Sequence, residues 1–293
     1  MAECPVPEDA EPKKVADDCA FTEGPAADAD GNLFFSDSPN NRIMMLPRKG
    51  RADIWRVPSG RANGMNFDPE GRLVTCCAQG EGGAQEVQRY EPDGSVTVLA
   101  SHYDGKRLNS PNDLCFDSQG RIYFTDPRYG SKVGMEQDTM AVYRIETDRS
   151  VTRVIEDVEV PNGILMTPDG RVIYLVDNNP EEGGGRTLLM FHLDDEGNWS
   201  REAELYDFSP GRGGDGMVLD VEGNIYLTAG SDEKGGVYIF SRRGEQLGFI
   251  ETPENPTNCT FGGPNLTTLY ITASTSVYKV EGTVPGQMAY PKQ

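Results

Sequence analysis

The stretch NDLCFDSQGRIYFTD, residues 112–126, holds two short apolar segments on either side of a glycine-centred turn. Segments of this length that are rich in aromatic and β-branched residues and bounded by turn residues predict two antiparallel strands. The first strand nevertheless opens on a polar side chain, Asn112. The same arrangement returns 50 residues later as NGILMTPDGRVIYLVD, residues 162–177, which indicates a repeated structural unit.

Six copies of this unit follow one another along the chain. Their leading polar residues are Glu23, Asn63, Asn112, Asn162, Asp215 and Asn258. The spacings between these residues are 40, 49, 50, 53 and 43, and in the first five copies a glycine stands eight residues after the leading residue. Leu266 takes the place of that glycine in the sixth copy. A fixed internal spacing in successive copies is typical of a repeat architecture.

The length of the unit predicts the fold. Each interval has room for two further strand-like segments, such as AVYRIE and VTRVIED after the third copy. Four short strands in roughly 40 to 50 residues form one blade of a β-propeller. We therefore predict an all-β, six-bladed β-propeller with four antiparallel strands per blade, forming one domain over residues 1–293 with blades that begin near the six leading residues. Because the last copy leaves little sequence for a fourth strand, residues 14–21 are predicted to close blade six.

The composition disfavours several classes of partner. The chain has 47 acidic and 27 basic residues and a net charge of −20, a field that repels phosphate backbones and predicts no nucleic-acid partner. It has no run of 18 apolar residues, so no membrane partner is expected. The start of the chain lacks an apolar signal segment, which predicts a cytoplasmic protein as written and a periplasmic or secreted one if a signal peptide was removed. The sequence leaves open a Cys4–Cys19 disulfide and the choice between monomer and dimer.

The six leading residues predict a metal site. The innermost strands of a propeller line its axial channel, so equivalent positions form a ring around one axis. All six side chains are carboxylates or carboxamides. Converging oxygens with two negative charges suit Ca²⁺, which takes about six to eight oxygen ligands. Mg²⁺, Mn²⁺ and Zn²⁺ are alternatives, although Mg²⁺ requires stricter geometry and Zn²⁺ would lack histidine ligands in the ring.

An alternative explanation of the leading residues is local. Asn and Asp favour turns and the ends of strands because their side chains mimic backbone turns. That explanation suits any single Asn better than it suits six polar residues in phase. It does not account for Glu23, because glutamate is not a turn former.

Five motifs carry a resemblance to a known family: FTEGPAADADGNLFFSD, GKRLNSPNDLCFDSQGRIYFTDPRYG, VPNGILMTPDGRVIYLVDN, GDGMVLDVEGNIYLT and TNCTFGGPNLTTLYITA. Over about residues 21–280 the chain resembles the SMP-30/gluconolactonase/luciferin-regenerating family of calcium-dependent six-bladed propeller hydrolases. The resemblance implies hydrolysis of lactones, typically sugar lactones, and a catalytic calcium ion. Its implied ligands are Glu23, Asn162 and Asp215, with Asn112 as either a ligand or a substrate contact. Asn63 and Asn258 are implied to lie around the ligands or in the pocket wall.

Two departures from the family pattern concern the substrate. Members that hydrolyse sugar lactones in animals carry an arginine two positions before the counterpart of Asn112, where this chain has Ser110. Related sequences often have a proline where this chain has Arg128. The identity of the lactone therefore stays open.

The working hypothesis assigns a role to each candidate residue. A bound calcium ion polarises the lactone carbonyl and a water molecule attacks it. Asp215, which is flanked by glycines, is the candidate general base, and a water activated by the metal is the alternative. The predicted substrate contacts are Asn63, Asn112, Arg128, Tyr129 and Asn258. The rival functions are a phosphotriesterase of the diisopropylfluorophosphatase type and a non-catalytic, calcium-stabilised propeller that binds a partner.

Overall fold

Each of the first five copies of the repeat forms four strands of one antiparallel sheet, and the sixth copy forms three. The computed structural model describes residues 4–7 and 10–287. Each innermost strand contacts the innermost strands of the two neighbouring sheets, and the last contacts the first, so the ring is closed. The predicted six-bladed, all-β propeller is confirmed. That residues 1–293 form one domain stays a prediction, and residues 1–3, 8–9 and 288–293 lie outside the described ranges.

The first half of the chain contains the closing strand and three blades. The closing strand is β1 (Lys13–Ala16). Blade one contains β2 (Thr22–Ala27), β3 (Leu33–Asp37), β4 (Arg42–Leu46) and β5 (Asp53–Arg56). Blade two contains β6 (Ala62–Phe67), β7 (Leu73–Cys77), β8 (Glu86–Tyr90) and β9 (Val96–Ala100). A small hairpin follows, with β10 (His102–Tyr103) and β11 (Lys106–Arg107). Blade three contains β12 (Leu114–Phe116), β13 (Ile122–Asp126), β14 (Ala141–Ile145) and β15 (Val151–Ile155).

The second half contains the other three blades. Blade four contains β16 (Pro161–Met166), β17 (Val172–Asn178), β18 (Arg186–Leu193) and β19 (Trp199–Asp207). Blade five contains β20 (Gly214–Asp220), β21 (Ile225–Ala229), the 3₁₀ turn Asp232–Lys234, β22 (Gly236–Phe240) and β23 (Gln246–Glu251). Blade six contains β24 (Pro256–Gly262), β25 (Thr268–Ala273) and β26 (Ser276–Glu281). A two-residue strand, β27 (Gly286–Gln287), pairs with β20. Within the described residues, no helix has the length and apolar character needed to cross a membrane.

The N-terminal strand completes blade six, as predicted. β1 pairs antiparallel with β26, and Lys14 lies opposite Tyr278. The strand ends at Ala16 and not at Phe21 as expected. The reason is that the N–H groups of Ala20 and Phe21 donate to the Asp37 carboxylate at 3.0 and 3.2 Å and are no longer free to pair with β26.

The hydrophobic core lies between the blades. The described residues form six clusters of buried side chains, and each cluster joins two adjacent blades. In the cluster between blades two and three, for example, Val74 and Val87 pack with Phe124 and Tyr143. Cys76, Cys77, Cys115 and Cys259 are buried core residues, and all six cysteines are unpaired, so the Cys4–Cys19 disulfide that the sequence left open is not formed. Both faces of each sheet are thus covered only when the ring is complete.

A register irregularity marks the start of the inner strands. The pairing of β2 with β3 shifts between Glu23 and Ala26, and the pairings of β6, β16, β20 and β24 with their neighbours shift at the corresponding place. Bulges of this kind turn a side chain away from the regular alternation of a strand. In blade three the strand itself begins only at Leu114, after the polar Asn112. In five of the six blades the irregularity therefore falls at or beside the leading residue.

Candidate functional site

A polar cavity of ≈ 610 Å³ lies where the inner strands begin. Five of the six predicted ring residues line it: Glu23, Asn63, Asn112, Asn162 and Asp215. Further polar side chains in its wall are those of Ser110, Gln79, Asn178, Tyr129, Arg61, Arg186 and Arg212. The repeat therefore brings side chains from the first five blades to one place.

Glycines after the leading residues set how closely neighbouring blades approach. A Cβ atom at Gly163 would lie 2.0 Å from the main-chain oxygen of Asp215, and one at Gly64 would lie 2.5 Å from that of Asn112. Only a residue without a Cβ fits at such separations. Gly64 also donates its N–H to the Asn112 carbonyl at 2.8 Å. These glycines therefore hold the leading residues of adjacent blades in one ring.

Three buried carboxyl groups crowd around the axis. Glu23, Asp113 and Asp215 have 3%, 8% and 7% of their surface exposed. Burial raises the pKa of Glu23 well above its usual range, and the charge of Asp215 raises it further. Burial also raises the pKa of Asp215, against the opposing effect of Arg212, whose Nη2 lies 2.5 Å from Oδ2. Of the three acids, only Asp215 is paired with an arginine among the described residues.

The sequence patterns did not single out Asp113. Burial raises the pKa of its carboxyl group to about 7. The residue follows a leading residue directly, at the position that four of the other five copies fill with a glycine: Gly24, Gly64, Gly163 and Gly216. An aspartate at a position where most copies have a glycine is the sequence feature that could have identified Asp113 as a candidate site residue.

Tyr129 lies where the sequence predicted a substrate contact. It lines the polar cavity, and its hydroxyl group is buried without a hydrogen-bond partner among the residues that the structure describes. Asn162 and Asp215 are close enough to influence its pKa, which burial raises well above the usual range. A buried hydroxyl group without a partner in the protein is unfavourable and is available to a ligand in the cavity.

Arg128, the other predicted substrate contact on this loop, lies outside the polar cavity. It is not part of the cavity wall. Its Nε, Nη1 and Nη2 atoms donate to the main-chain oxygens of Ser131, Asn109 and Val133 at 3.0, 2.9 and 3.0 Å. The guanidinium group therefore fixes the loop after β13, and the structure does not bring this predicted contact to the site.

Asn258 is also not part of the polar cavity wall. It lines a second cavity of ≈ 320 Å³ at the other ends of the inner strands, next to apolar side chains such as Met65 and Met217. Its Nδ2 donates to Glu23 Oε2 at 3.2 Å, and its Oδ1 accepts the N–H of Cys259 at 2.8 Å. The Asn258 amide therefore orients the Glu23 carboxylate from beside the ring. The structure does not bring this predicted substrate contact into the wall of the polar cavity.

Aspartates fix the segments that precede three of the inner strands. Asp126 accepts the N–H groups of Asn109 and Ser110, both at 2.7 Å. Asp37 and Asp177 hold the corresponding segments of blades one and four in the same way. Burial raises the pKa of Asp126 to about 7. These hydrogen bonds position the backbone just before the leading residues.

Arg61 is a cavity residue that the sequence patterns missed. Its backbone adopts a positive φ of 58° and is held on both sides, because its N–H donates to Asn41 Oδ1 at 2.8 Å and its carbonyl accepts the N–H of Ala78 at 3.0 Å. It stands two residues before Asn63, as Ser110 stands before the leading residue of blade three. That equivalence between blades was the available signal.

The donor set fits a hard divalent cation. Carboxylates of Glu23 and Asp215 and amides of Asn112 and Asn162 face one cavity that no histidine or cysteine lines. Oxygen ligands of this kind suit Ca²⁺. Among residues 4–7 and 10–287, no group of three or more His, Cys, Asp and Glu side chains forms a metal site. A cation here would therefore depend on the amide oxygens as well.

Comparison with known proteins identifies the family of the chain. A profile of the SMP-30/Gluconolactonase/LRE-like region matches residues 21–275. The chain belongs to this family. A gluconolactonase from Zymomonas mobilis is 32% identical over 295 residues, which cover 91% of this chain and 80% of that protein. A pentonolactonase from Haloferax volcanii is 27% identical, over 87% of this chain and 82% of that protein. The structure of a gluconolactonase from Xanthomonas campestris matches with a TM-score of 0.83 and 29% identity, over 96% of this chain and 91% of that one.

Proposed function

We propose that this protein is a lactone-hydrolysing enzyme, an ester-bond hydrolase, which acts on sugar lactones with a bound calcium ion. The observation that carries the proposal is the polar cavity into which Glu23, Asn112, Asn162 and Asp215 converge. Its volume of ≈ 610 Å³ suits a small molecule. The named activities of the bacterial and archaeal relatives support lactones as the substrate class.

The four converging side chains are the proposed calcium ligands. A bound calcium ion supplies a Lewis acid that polarises the lactone carbonyl. The carboxylates of Glu23 and Asp215 provide negative charge, and the amides of Asn112 and Asn162 provide neutral oxygens. Asn258 keeps Glu23 in place through the hydrogen bond from Nδ2 to Oε2. This division leaves Glu23 with metal binding alone.

Proton transfer is assigned to Asp215. Its Oδ2 is paired with Arg212, and the neighbouring Asn162 lowers the pKa of the carboxyl group. Burial raises the pKa of Asp215 and so increases its basicity, whereas Arg212 opposes this effect. A water molecule gives a proton to the carboxylate as its oxygen attacks the carbonyl carbon. The proton then passes to the ring oxygen as the ring C–O bond breaks, which yields the open hydroxy acid.

Tyr129 and Asn63 are assigned to the substrate. The raised pKa of Tyr129 keeps its hydroxyl group protonated, so it donates a hydrogen bond. Since no group within residues 4–7 and 10–287 accepts that bond, an oxygen of the bound lactone is the natural acceptor. The Nδ2 of Asn63 is partly engaged, because it donates to the Asn112 carbonyl at 3.2 Å. Asn63 lines the cavity, and its Oδ1 is assigned as the acceptor for a sugar hydroxyl.

The test compares substrates, metal and base in one series. Glucono-lactone and an aryl phosphotriester are assayed side by side with and without a chelator, and Asp215→Asn is assayed at saturating calcium. We expect lactone turnover that the chelator abolishes and calcium restores, and a loss in kcat of about 100-fold or more in the variant. Asp195→Asn, which changes an exposed acid, is the matched control. Hydrolysis of the phosphotriester alone would favour the rival reaction, and full turnover by Asp215→Asn would remove the assigned base.

A further inference from the structure

Of the three arginines that line the polar cavity, two are occupied by the protein itself. Arg186 donates through Nε, Nη1 and Nη2 to main-chain carbonyl groups of the adjoining loops. Arg212 donates to two carbonyl groups and pairs with Asp215. Arg61 differs from both: within the described parts of the chain, its guanidinium group has no hydrogen bond and no ion pair, and its Nε is buried without a partner.

The surrounding residues nevertheless fix the position of Arg61. The backbone on either side is fixed by Asn41 and Ala78, as described above. The guanidinium packs against Gly80, where a Cβ atom would come within 2.9 Å of Nη1. A left-handed backbone at a non-glycine residue is unfavourable and persists where the surroundings enforce it. The protein therefore holds a positively charged donor in the cavity wall and leaves its donors unused.

The charge of the residues that line the cavity also favours a negatively charged ligand. The chain as a whole carries a net charge of −20. Among the described residues that line the cavity, however, three arginines stand against two carboxylates, Glu23 and Asp215. The lining thus has a formal charge of +1 before any cation binds, and a bound divalent cation makes it more positive. A strongly acidic protein with a positive cavity is suited to an anionic small molecule.

We propose that Arg61 determines specificity by binding a carboxylate on the substrate, at the end of the molecule remote from the lactone carbonyl. This inference rests on the proposed lactonase function and names its substrate class: lactones of sugar acids that keep a free carboxylate. A guanidinium group matches a carboxylate through two parallel N–H···O hydrogen bonds, and such bonds are stronger than those to a neutral hydroxyl.

A pair of matched lactones tests the proposal. Glucaro-1,4-lactone and glucono-1,4-lactone have the same ring and differ at the sixth carbon, which is a carboxylate in the first and a hydroxymethyl group in the second. We expect wild-type protein to prefer the carboxylate-bearing lactone, and Arg61→Gln to lose about 10- to 100-fold in kcat/KM for it through KM, with a change below about threefold for the neutral lactone. Arg61→Lys, which keeps the charge without the planar fork, should recover part of the loss. Arg243→Gln removes an exposed arginine and is the charge-matched control.

A second readout does not require turnover. Calorimetric titration with glucarate and gluconate measures binding of the open-chain products, and the wild-type preference for glucarate should disappear in Arg61→Gln. If neither lactone is hydrolysed while this Arg61-dependent preference is present, the lactonase function fails and the carboxylate site stands. If glucono-1,4-lactone is hydrolysed while Arg61→Gln leaves both preferences unchanged, the carboxylate site is refuted and the lactonase function stands.

Discussion

Substituting Gly163 by alanine tests whether the close approach of blades four and five controls the site. The new Cβ atom would lie 2.0 Å from the main-chain oxygen of Asp215, at least 1.0 Å closer than the 3.0 Å below which such contacts essentially never occur. The obstacle is backbone, so β16 and β20 have to move apart. Gly163 has no positive φ, and the expected effect is therefore one of packing alone.

The magnitude follows from two opposing contributions. Overpacking destabilises by about 1–3 kcal/mol, while alanine reduces the entropy of the unfolded chain and returns roughly 0.4–1 kcal/mol. The net loss is about 1–2 kcal/mol, which lowers the Tm of a chain of this size by roughly 2–3 °C. The effect on catalysis is larger, because a misplacement of about 1 Å at a reacting group lowers turnover by on the order of 100-fold.

Thermal melting and lactone kinetics on the same preparations measure both effects. Gly185→Ala is the matched control, since Gly185 also has no positive φ and the nearest atom to its added Cβ would be 3.8 Å away. It should melt at or slightly above the wild-type temperature with unchanged turnover. The reasoning is refuted if Gly163→Ala keeps its Tm within a degree of wild type and its kcat within threefold.

Three further predictions concern stability. Burial raises the pKa of Asp126 in the folded protein from its ordinary value of 3.8 to about 7. The stability that this group contributes is therefore present below the unfolded value and is lost as pH rises through about 7, and Asp126→Asn should flatten the fall of Tm between about pH 5 and pH 8. Ala16→Asp places a carboxylate in the core between blades six and one and should destabilise by about 2 kcal/mol or more in chemical denaturation, whereas Lys13→Asp, at an exposed position of the same strand, should have little effect. Tyr129→Phe removes a buried hydroxyl group without a partner and should raise the Tm while it lowers kcat/KM by about tenfold.

The architecture could be predicted from the sequence because the same pattern of a polar residue, a strand, a turn and a second strand occurs six times. Equivalent positions in a ring of blades face one axis, so the phase of the copies alone brought Glu23, Asn112, Asn162 and Asp215 together. No pairwise contact had to be known. The same reasoning predicted that a segment near the N-terminus closes blade six. It placed the end of that strand at residue 21 instead of Ala16. The hydrophobic pattern gives no sign that the N–H groups of Ala20 and Phe21 donate to the Asp37 carboxylate.

Side-chain direction could not be predicted in the same way. Arg128 and Tyr129 are adjacent, yet one turns into loop carbonyls and the other into the cavity. Asn258 occupies a ring position but hydrogen-bonds to Glu23 from the side of the second cavity. These outcomes depend on bulges and on which neighbours supply acceptors, and neither is encoded in spacing. Arg61 was missed for a related reason, since an unpaired guanidinium group is visible only when its surroundings are known.

The pairing of β1 with β26 has a consequence for biosynthesis. Lys14 and its partner Tyr278 are 264 residues apart. A ribosome that adds roughly 5–20 residues per second needs on the order of ten seconds to a minute to make the chain between them. For that time blades one to five can assemble while the segment that will seal the ring has no partner, and an uncovered sheet edge is a template for other chains. Nascent chains should therefore depend most on chaperones just before blade six emerges.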